Sequence, residues 1–218
     1  LGLNHVLYLS KEKYNLAIID ISEEASNVYG EMTSVQKLIS RLNKNKTLLI
    51  INNYLSNEEC DKIVKAREYW IPEDGKVYDS DNVQTIDKDQ RSVVTYVMDC
   101  DFDWIGDKVW STVQRLNTRH WKFDLEGYLE KPTLLEYNAP FGHYNWHMDI
   151  GNRPLTCYRK LTFIILLNDE FEGGDLKMYH GGNHFQATHL VKGSLIVFPS
   201  YLMHTVEEIT GCNRFDLI

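Results

Sequence analysis

Two histidines, an aspartate and an arginine in the last third of the chain are of types that can do chemistry together. His147 and Asp149 stand at i and i+2 in Tyr144-Asn145-Trp146-His147-Met148-Asp149-Ile150. On a β-strand that spacing puts both side chains on one face, an imidazole beside a carboxylate. His204 follows the apolar run Leu195-Ile196-Val197-Phe198 and Pro199, and on a facing strand it would supply a third ligand. Two histidines and one carboxylate on one side of a divalent metal form a facial triad, which leaves the opposite positions open. Arg214 lies ten residues beyond His204, in what reads as the last strand. Its guanidinium can grip a carboxylate bidentately, so a carboxylate-bearing cosubstrate is expected beside the metal.

Each residue also has a plainer reading. His147 and Asp149 could be an exposed strand pair, with Asp149 capping the turn into Gly151-Asn152, and Arg214 an ordinary strand arginine. The surrounding residues favour the metal. Tyr137 stands ten residues before His147 and Tyr144 three before it. Arg159-Lys160-Leu161-Thr162 leads into an apolar strand that ends in Leu167-Asn168. Gly173-Gly174-Asp175 makes a turn, and Gly193 opens the strand that ends at Phe198. In these features the chain from Thr133 to its end resembles the 2-oxoglutarate- and Fe(II)-dependent dioxygenases, in particular the prolyl 4-hydroxylase-like branch. The likeness is looser over 47–67 and does not extend to the first forty-odd residues.

The resemblance implies a metal site of His147, Asp149 and His204 holding Fe(II), with 2-oxoglutarate and O2 as cosubstrates and ascorbate a candidate reductant. It implies that Arg214 binds the distal carboxylate of 2-oxoglutarate, and that Tyr137 contacts cosubstrate or substrate. The implied reaction hydroxylates a C–H bond, of a peptidyl prolyl residue or an amino-acid-like compound, and releases succinate and CO2. The chain departs from some relatives at Leu166, where they carry a cosubstrate-binding tyrosine; Thr205 is the nearest alternative hydroxyl. Two other readings stand beside this one. One is a non-catalytic jelly-roll domain that binds a metal or ligand. The other is a cupin-type dioxygenase using no oxo acid, against which Arg214 counts.

The 218 residues are enough for one well-buried domain, and 43% hydrophobic content is that of an ordinary globular protein. A formal net charge of −8 argues against nucleic acid or an anionic membrane as the partner, leaving a small-molecule or peptide substrate. No apolar run is long enough to span a bilayer and no export signal is visible, so a soluble, cytoplasmic protein is expected. The scattered Cys60, Cys100, Cys157 and Cys212 read as reduced thiols. Nothing in the sequence indicates an oligomeric state.

The expected fold is mainly β with supporting helices (α+β), a double-stranded β-helix or jelly roll with N-terminal helices packed on one sheet. Residues 1–46 read as an extension packed on the core, with a short strand in 14–21 and an amphipathic helix over 33–42. Residues 47–218 read as the dioxygenase domain, with a jelly-roll core over 133–218. Within it Thr47–Ile51 predicts a strand, and Ser56-Asn57-Glu58-Glu59 a capping box that opens a helix to about Trp70. Residues 71–90, rich in Glu73, Asp74, Asp79, Asp81, Asp87 and Asp89, read as an exposed substrate-covering loop favouring a basic or neutral substrate. Asp103 is the expected N-cap of a helix to about Trp121, with Trp104, Val109, Val113 and Leu116 on its apolar face. From 133 onward about eight short strands with Gly and Pro punctuation are expected. By strand parity His143 and Asn145 share the face of the ligands, while Trp146 and Met148 point into the core. His180, His184 and His189 fit no zinc spacing and read as a solvated hairpin.

Overall fold

The computed structural model describes residues 16–19 and 48–218, apart from 80–82, 129, 153–155, 181–182 and 188–189. The expected helix over 33–42, and the side chains of His180, His184 and His189, lie outside the described residues. The protein is mainly β, with two α-helices among the described residues.

Two sheets face each other. One has eight strands, in the order β1 (Leu16–Ile19), β2 (Leu48–Ile51), β14 (Leu195–Pro199), β10 (Leu161–Leu166), β17 (Arg214–Leu217), β8 (Thr133–Tyr137), β7 (Val94–Val97) and β3 (Pro72–Asp74). The other has five, in the order β13 (Asn183–Gln186), β12 (Leu176–His180), β15 (Met203–Val206), β9 (His143–His147) and β6 (Arg91–Ser92). From β8 onward the chain passes back and forth between them: β8, β10, β14 and β17 in the large sheet, β9, β12, β13 and β15 in the small one. Alternation between two antiparallel sheets is the winding of a jelly roll.

The middle of the large sheet is covered on both sides, which explains why β2 and β14 read as unbroken apolar runs. In β14, Leu195 and Val197 face the helices, while Ile196 and Phe198 face the small sheet. Leu49 and Ile51 in β2 join the first pair, Leu48 and Ile50 the second. The last strand breaks the pattern on one side only. Phe215 and Leu217 join the helix-side core, whereas the inward positions are Arg214 and Asp216, both 1% exposed.

The helix-side cover comes from α1 (Asn57–Ala66) and α2 (Asp103–His120). Ser56 caps α1 reciprocally: Glu59 N–H donates to Ser56 Oγ at 3.1 Å and Ser56 N–H to Glu59 Oε2 at 2.8 Å. In α2 the buried residues Ile105, Val109, Val113 and Leu116 follow the helical period and pack with Ile63, Leu134, Ile165 and Leu195. Asp103 is not the cap expected of it. The helix follows directly on a 3-10 turn, Cys100–Phe102, and the carboxylate that caps that turn belongs to Asp99.

Residues 71–90 are not a plain loop either. They contain β3, which pairs with β7 at the edge of the large sheet, and the small ribbon of β4 (Val77–Tyr78) with β5 (Gln84–Thr85). Strands of two or three exposed residues leave no hydrophobic alternation to read, and Pro72 is tolerated because β3 is an edge. Neither helix among the described residues is long and apolar enough to cross a membrane.

Gly193 ties the helical side to the roll. Its carbonyl accepts from Tyr54 N–H at 2.8 Å and Leu55 N–H at 3.1 Å, and its own N–H donates to Leu166 O at 2.7 Å. It adopts φ +81°, and a Cβ there would lie 2.2 Å from Leu55 O. Gly193→Ala is expected to cost at least about 1–3 kcal/mol, read as a lower urea midpoint at unchanged slope.

Candidate metal centre

Pairing of β9 with β15 makes His147 and His204 direct cross-strand partners. Their ring centroids lie 4.1 Å apart. Asp149 reaches the pair from the turn after β9, not from the strand itself. That turn is held by two backbone bonds to Ser200 O, from Asp149 N–H at 3.0 Å and Ile150 N–H at 3.1 Å. One carboxylate oxygen then lies 3.7 Å from His147 Nε2 and the other 3.6 Å from His204 Nε2. The ligand atoms of all three residues lie within 4.8 Å of one another.

The proton positions favour a cation between them. His147 Nδ1 is 2.7 Å from Asn145 O and His204 Nδ1 is 2.9 Å from Leu202 O. A carbonyl can only accept, so each Nδ1 carries a hydrogen, which leaves Nε2 as the ring atom free to bind a metal. Burial pushes the His147 imidazole down to about 3, helped by the neighbouring His204. Burial alone would raise the Asp149 carboxyl, but His204, His147, the Thr162 hydroxyl and Arg159 hold it below its ordinary value. Two imidazole Nε2 atoms and an ionised carboxylate therefore converge on one point, the donor set that a divalent metal ion needs. Ligands at right angles on bonds of about 2.1 Å stand about 3 Å apart, so small side-chain shifts suffice to close the site. The donor set suits Fe(II).

The residues that orient Asp149 come from the Arg-x-x-Thr stretch. Thr162 Oγ1 on β10 donates to Asp149 Oδ2 at 2.7 Å and lies 3.0 Å from Ser200 Oγ. Arg159 Nη1 donates to Asp149 O at 3.1 Å, and its other terminal nitrogen pairs with Glu130. Thr162→Val is expected to weaken metal affinity roughly 10–100-fold with the fold intact, as loss of a ligand's hydrogen-bond partner usually does. Titration with Co(II), followed by its visible absorption, measures it.

Strand parity fails in β9. His204 pairs with His147 but Val206 pairs with Tyr144, so three steps on β9 oppose two on β15. This bulge carries Tyr144 to the ligand side, where its ring stacks on His147 with centroids 3.4 Å apart. His143 and Asn145 turn away from the site. Both His143 ring nitrogens are engaged, with Phe141 O at 2.7 Å and Asp89 O at 3.0 Å, and Asn145 Nδ2 donates to Asp89 O at 2.7 Å. Trp146 and Met148 are 37% and 48% exposed, not core.

An open cleft of about 1590 Å³ runs from the three ligands to the surface, past Arg91, Tyr144, Tyr158 and Arg159. Arg91 had no signal in the sequence, being a lone arginine in a β-rich run. Its guanidinium lies 4.6 Å over the Tyr144 ring, on a stack that ends at His147. Its Nε is buried without a hydrogen-bond partner. The acidic rim is partly neutralised from within, by Lys76 on Glu73 and Lys88 on Asp74.

Arg214 is buried and in register with Tyr137, its guanidinium 5.9 Å from that ring and 5.3 Å from Phe171. The anion it faces belongs to the chain. Nε donates to Asp216 Oδ1 and Oδ2, each at 3.1 Å, and Nη1 donates to Gly174 O. Gly174 is at φ +65°, and a Cβ there would lie 2.2 Å from Ile209 Cδ1. Nη2 lies 2.9 Å from Asp216 Oδ2 but without the alignment of a hydrogen bond, and its N–H groups have no other partner. Thr205 is not the missing hydroxyl, because its Oγ1 donates to Tyr144 O at 2.8 Å.

Residues 132–217 match the family model of the 2OG-Fe(II) oxygenase superfamily. A PKHD-type hydroxylase from Synechococcus sp. (strain CC9605) is 32% identical over 76 residues, 33% of this chain and 33% of that protein. The match thus spans about a third of the curated relative's length. Among solved structures, a prolyl hydroxylase from Trichoplax adhaerens, in complex with a peptide fragment of the hypoxia inducible factor oxygen degradation domain, superposes with a TM-score of 0.66. The likeness covers 90% of this chain and 88% of that one at 20% identity. A Pseudomonas putida prolyl-4-hydroxylase gives 0.59 at 18% identity, over 78% of this chain and 89% of that one. At these identities the structural likenesses establish the fold.

Proposed function

We propose that this chain, which belongs through residues 132–217 to the 2OG-Fe(II) oxygenase superfamily, is an Fe(II)- and 2-oxoglutarate-dependent dioxygenase that hydroxylates a C–H bond. The observation that carries it is the set of three ligand atoms within 4.8 Å, with both imidazole Nε2 atoms turned to one carboxylate at the floor of an open cleft. His147, Asp149 and His204 hold the iron, and residues 47–218 form the catalytic domain. Fe(II) bound there, with O2 and 2-oxoglutarate, supplies the oxidising power and yields succinate and CO2.

The chain's own residues have separate tasks. Thr162 and Arg159 keep Asp149 pointed at the metal. Tyr144, packed on His147, fixes that ring and walls one side of the cleft. Arg214, beside Tyr137, anchors the distal carboxylate of the oxo acid at the dry end of the roll. Phe198, edge-on to His204 with centroids 4.9 Å apart, helps to keep bulk water from the ligands.

The substrate we propose is a peptidyl prolyl residue or an amino-acid-like compound, as the names of the prolyl hydroxylase relatives suggest. The open cleft has room for a peptide, and Arg91 and Tyr158 lie along its wall. The test is Fe(II)-dependent conversion of 2-oxoglutarate to succinate, followed by a screen of proline-containing peptides and free amino acids for a gain of one oxygen. Stoichiometric succinate and hydroxylated product are expected. Metal-loaded protein that binds no oxo acid overturns the proposal.

A further inference from the structure

The cosubstrate anchor of the proposed dioxygenase already has an anion of its own. Arg214 and Asp216 are adjacent inward positions of β17, both 1% exposed, joined through Nε at 3.1 Å and through Nη2 at 2.9 Å. Asp216 lines the cleft that leads from the metal ligands, whereas Arg214 lies behind it. On the two flanking strands the register neighbours of Asp216 are Leu135 and Leu166, which offer no charge. Tyr137 on β8 is buried, and its neutral form is favoured by burial and by the nearby Asp216. Among the described residues Arg214 is therefore the cation that faces Asp216, and it still has buried Nη2 hydrogens without a hydrogen-bond partner.

A dianionic oxo acid entering this end brings a second carboxylate to one guanidinium in a water-poor pocket. Like charges brought together there are strongly unfavourable. A neutral carboxamide meets a different situation. Its oxygen can accept from the free Nη2 hydrogens while its NH2 donates to an Asp216 oxygen, so both halves of the pair are satisfied.

Resting on the dioxygenase reading above, we propose that Asp216 sets cosubstrate specificity: it weakens binding of dianionic 2-oxoglutarate and admits a 2-oxo acid with a neutral, amide-like distal end. Burial raises the Asp216 carboxyl against the pull of Arg214, so a proton can be taken up when a second carboxylate arrives. Affinity for the dianion then rises as pH falls, while affinity for the amide does not.

The experiment is calorimetric titration of Zn(II)-loaded protein, which cannot turn over, with 2-oxoglutarate and with its distal amide, 2-oxoglutaramate. Wild type is expected to bind the amide at least as tightly as the dianion. Asp216→Asn is expected to tighten 2-oxoglutarate by about tenfold or more and to loosen the amide. A wild-type preference for the dianion together with no tightening in Asp216→Asn overturns the inference and leaves the dioxygenase reading standing. Should Asp216→Asn fail to fold, the wild type decides: the 2-oxoglutarate Kd must fall between about pH 8 and pH 6 with the amide Kd steady, because the shared chelating end cancels in the comparison. Equal pH profiles overturn the inference. Binding of neither compound overturns it together with the proposed function.

Discussion

Metal affinity of the His204→Ala protein is expected to fall by more than the roughly 10–100-fold that loss of a supporting hydrogen bond costs, and turnover with it. The same is expected of His147→Ala and Asp149→Ala. A three-ligand face has no spare donor, and among the described residues no other side chain stands ready to replace the one removed. A secondary effect falls on stability. Removal of His204 also takes away the edge contact of Phe198, whereas removal of Asp149 leaves the Thr162 hydroxyl without its acceptor and the two imidazoles without their anion, so both apoproteins are expected to be less stable than wild type. Equilibrium dialysis against Fe(II) under nitrogen gives the affinities, and urea melts of the apoproteins give the stabilities. Full iron occupancy in all three variants would sink the triad.

Arg214→Ala is expected to lose two things at once. Iron binding should persist, because no ligand is touched, but 2-oxoglutarate affinity should drop about 10–150-fold, the worth of a charged hydrogen bond of about 1.5–3 kcal/mol. Stability should also fall, by about 3–5 kcal/mol, since Asp216 is left buried and unpaired. The double variant Arg214→Met, Asp216→Leu removes both charges and restores apolar packing on a strand whose other face is already apolar. It should recover most of the stability and none of the oxo acid binding. Recovery of both would place the anchor elsewhere, and recovery of neither would mean that the strand depends on the charge pair for its position.

Much of the architecture was legible in residue order. The unbroken apolar run of β14, the short strands set off by Gly and Pro turns after 133, the Ser56–Glu59 box and the helical stripe of Val109, Val113 and Leu116 are local patterns that residue order alone displays. The spacing of His147, Asp149 and His204 named the residues that the fold gathers within 4.8 Å. Other features were not legible because they depend on what lies opposite. The bulge in β9 exists only in relation to β15, and it overturned parity for Tyr144, His143 and Asn145 in one step, while Trp146 and Met148 are exposed because nothing among the described residues covers the outer face there. The strands within 71–90 borrow their order from β7, having no hydrophobic face of their own. Ser200 and Arg91 had no motif to announce them. Spacing along the chain was enough to name His147, Asp149 and His204 as candidate ligands. The tertiary structure alone decided how those atoms are aimed, and that Arg214 meets Asp216, two residues along its own strand, before it meets any ligand. That contact is decided by burial: with leucines on both sides and no water to screen it, the guanidinium takes the nearest charge within reach.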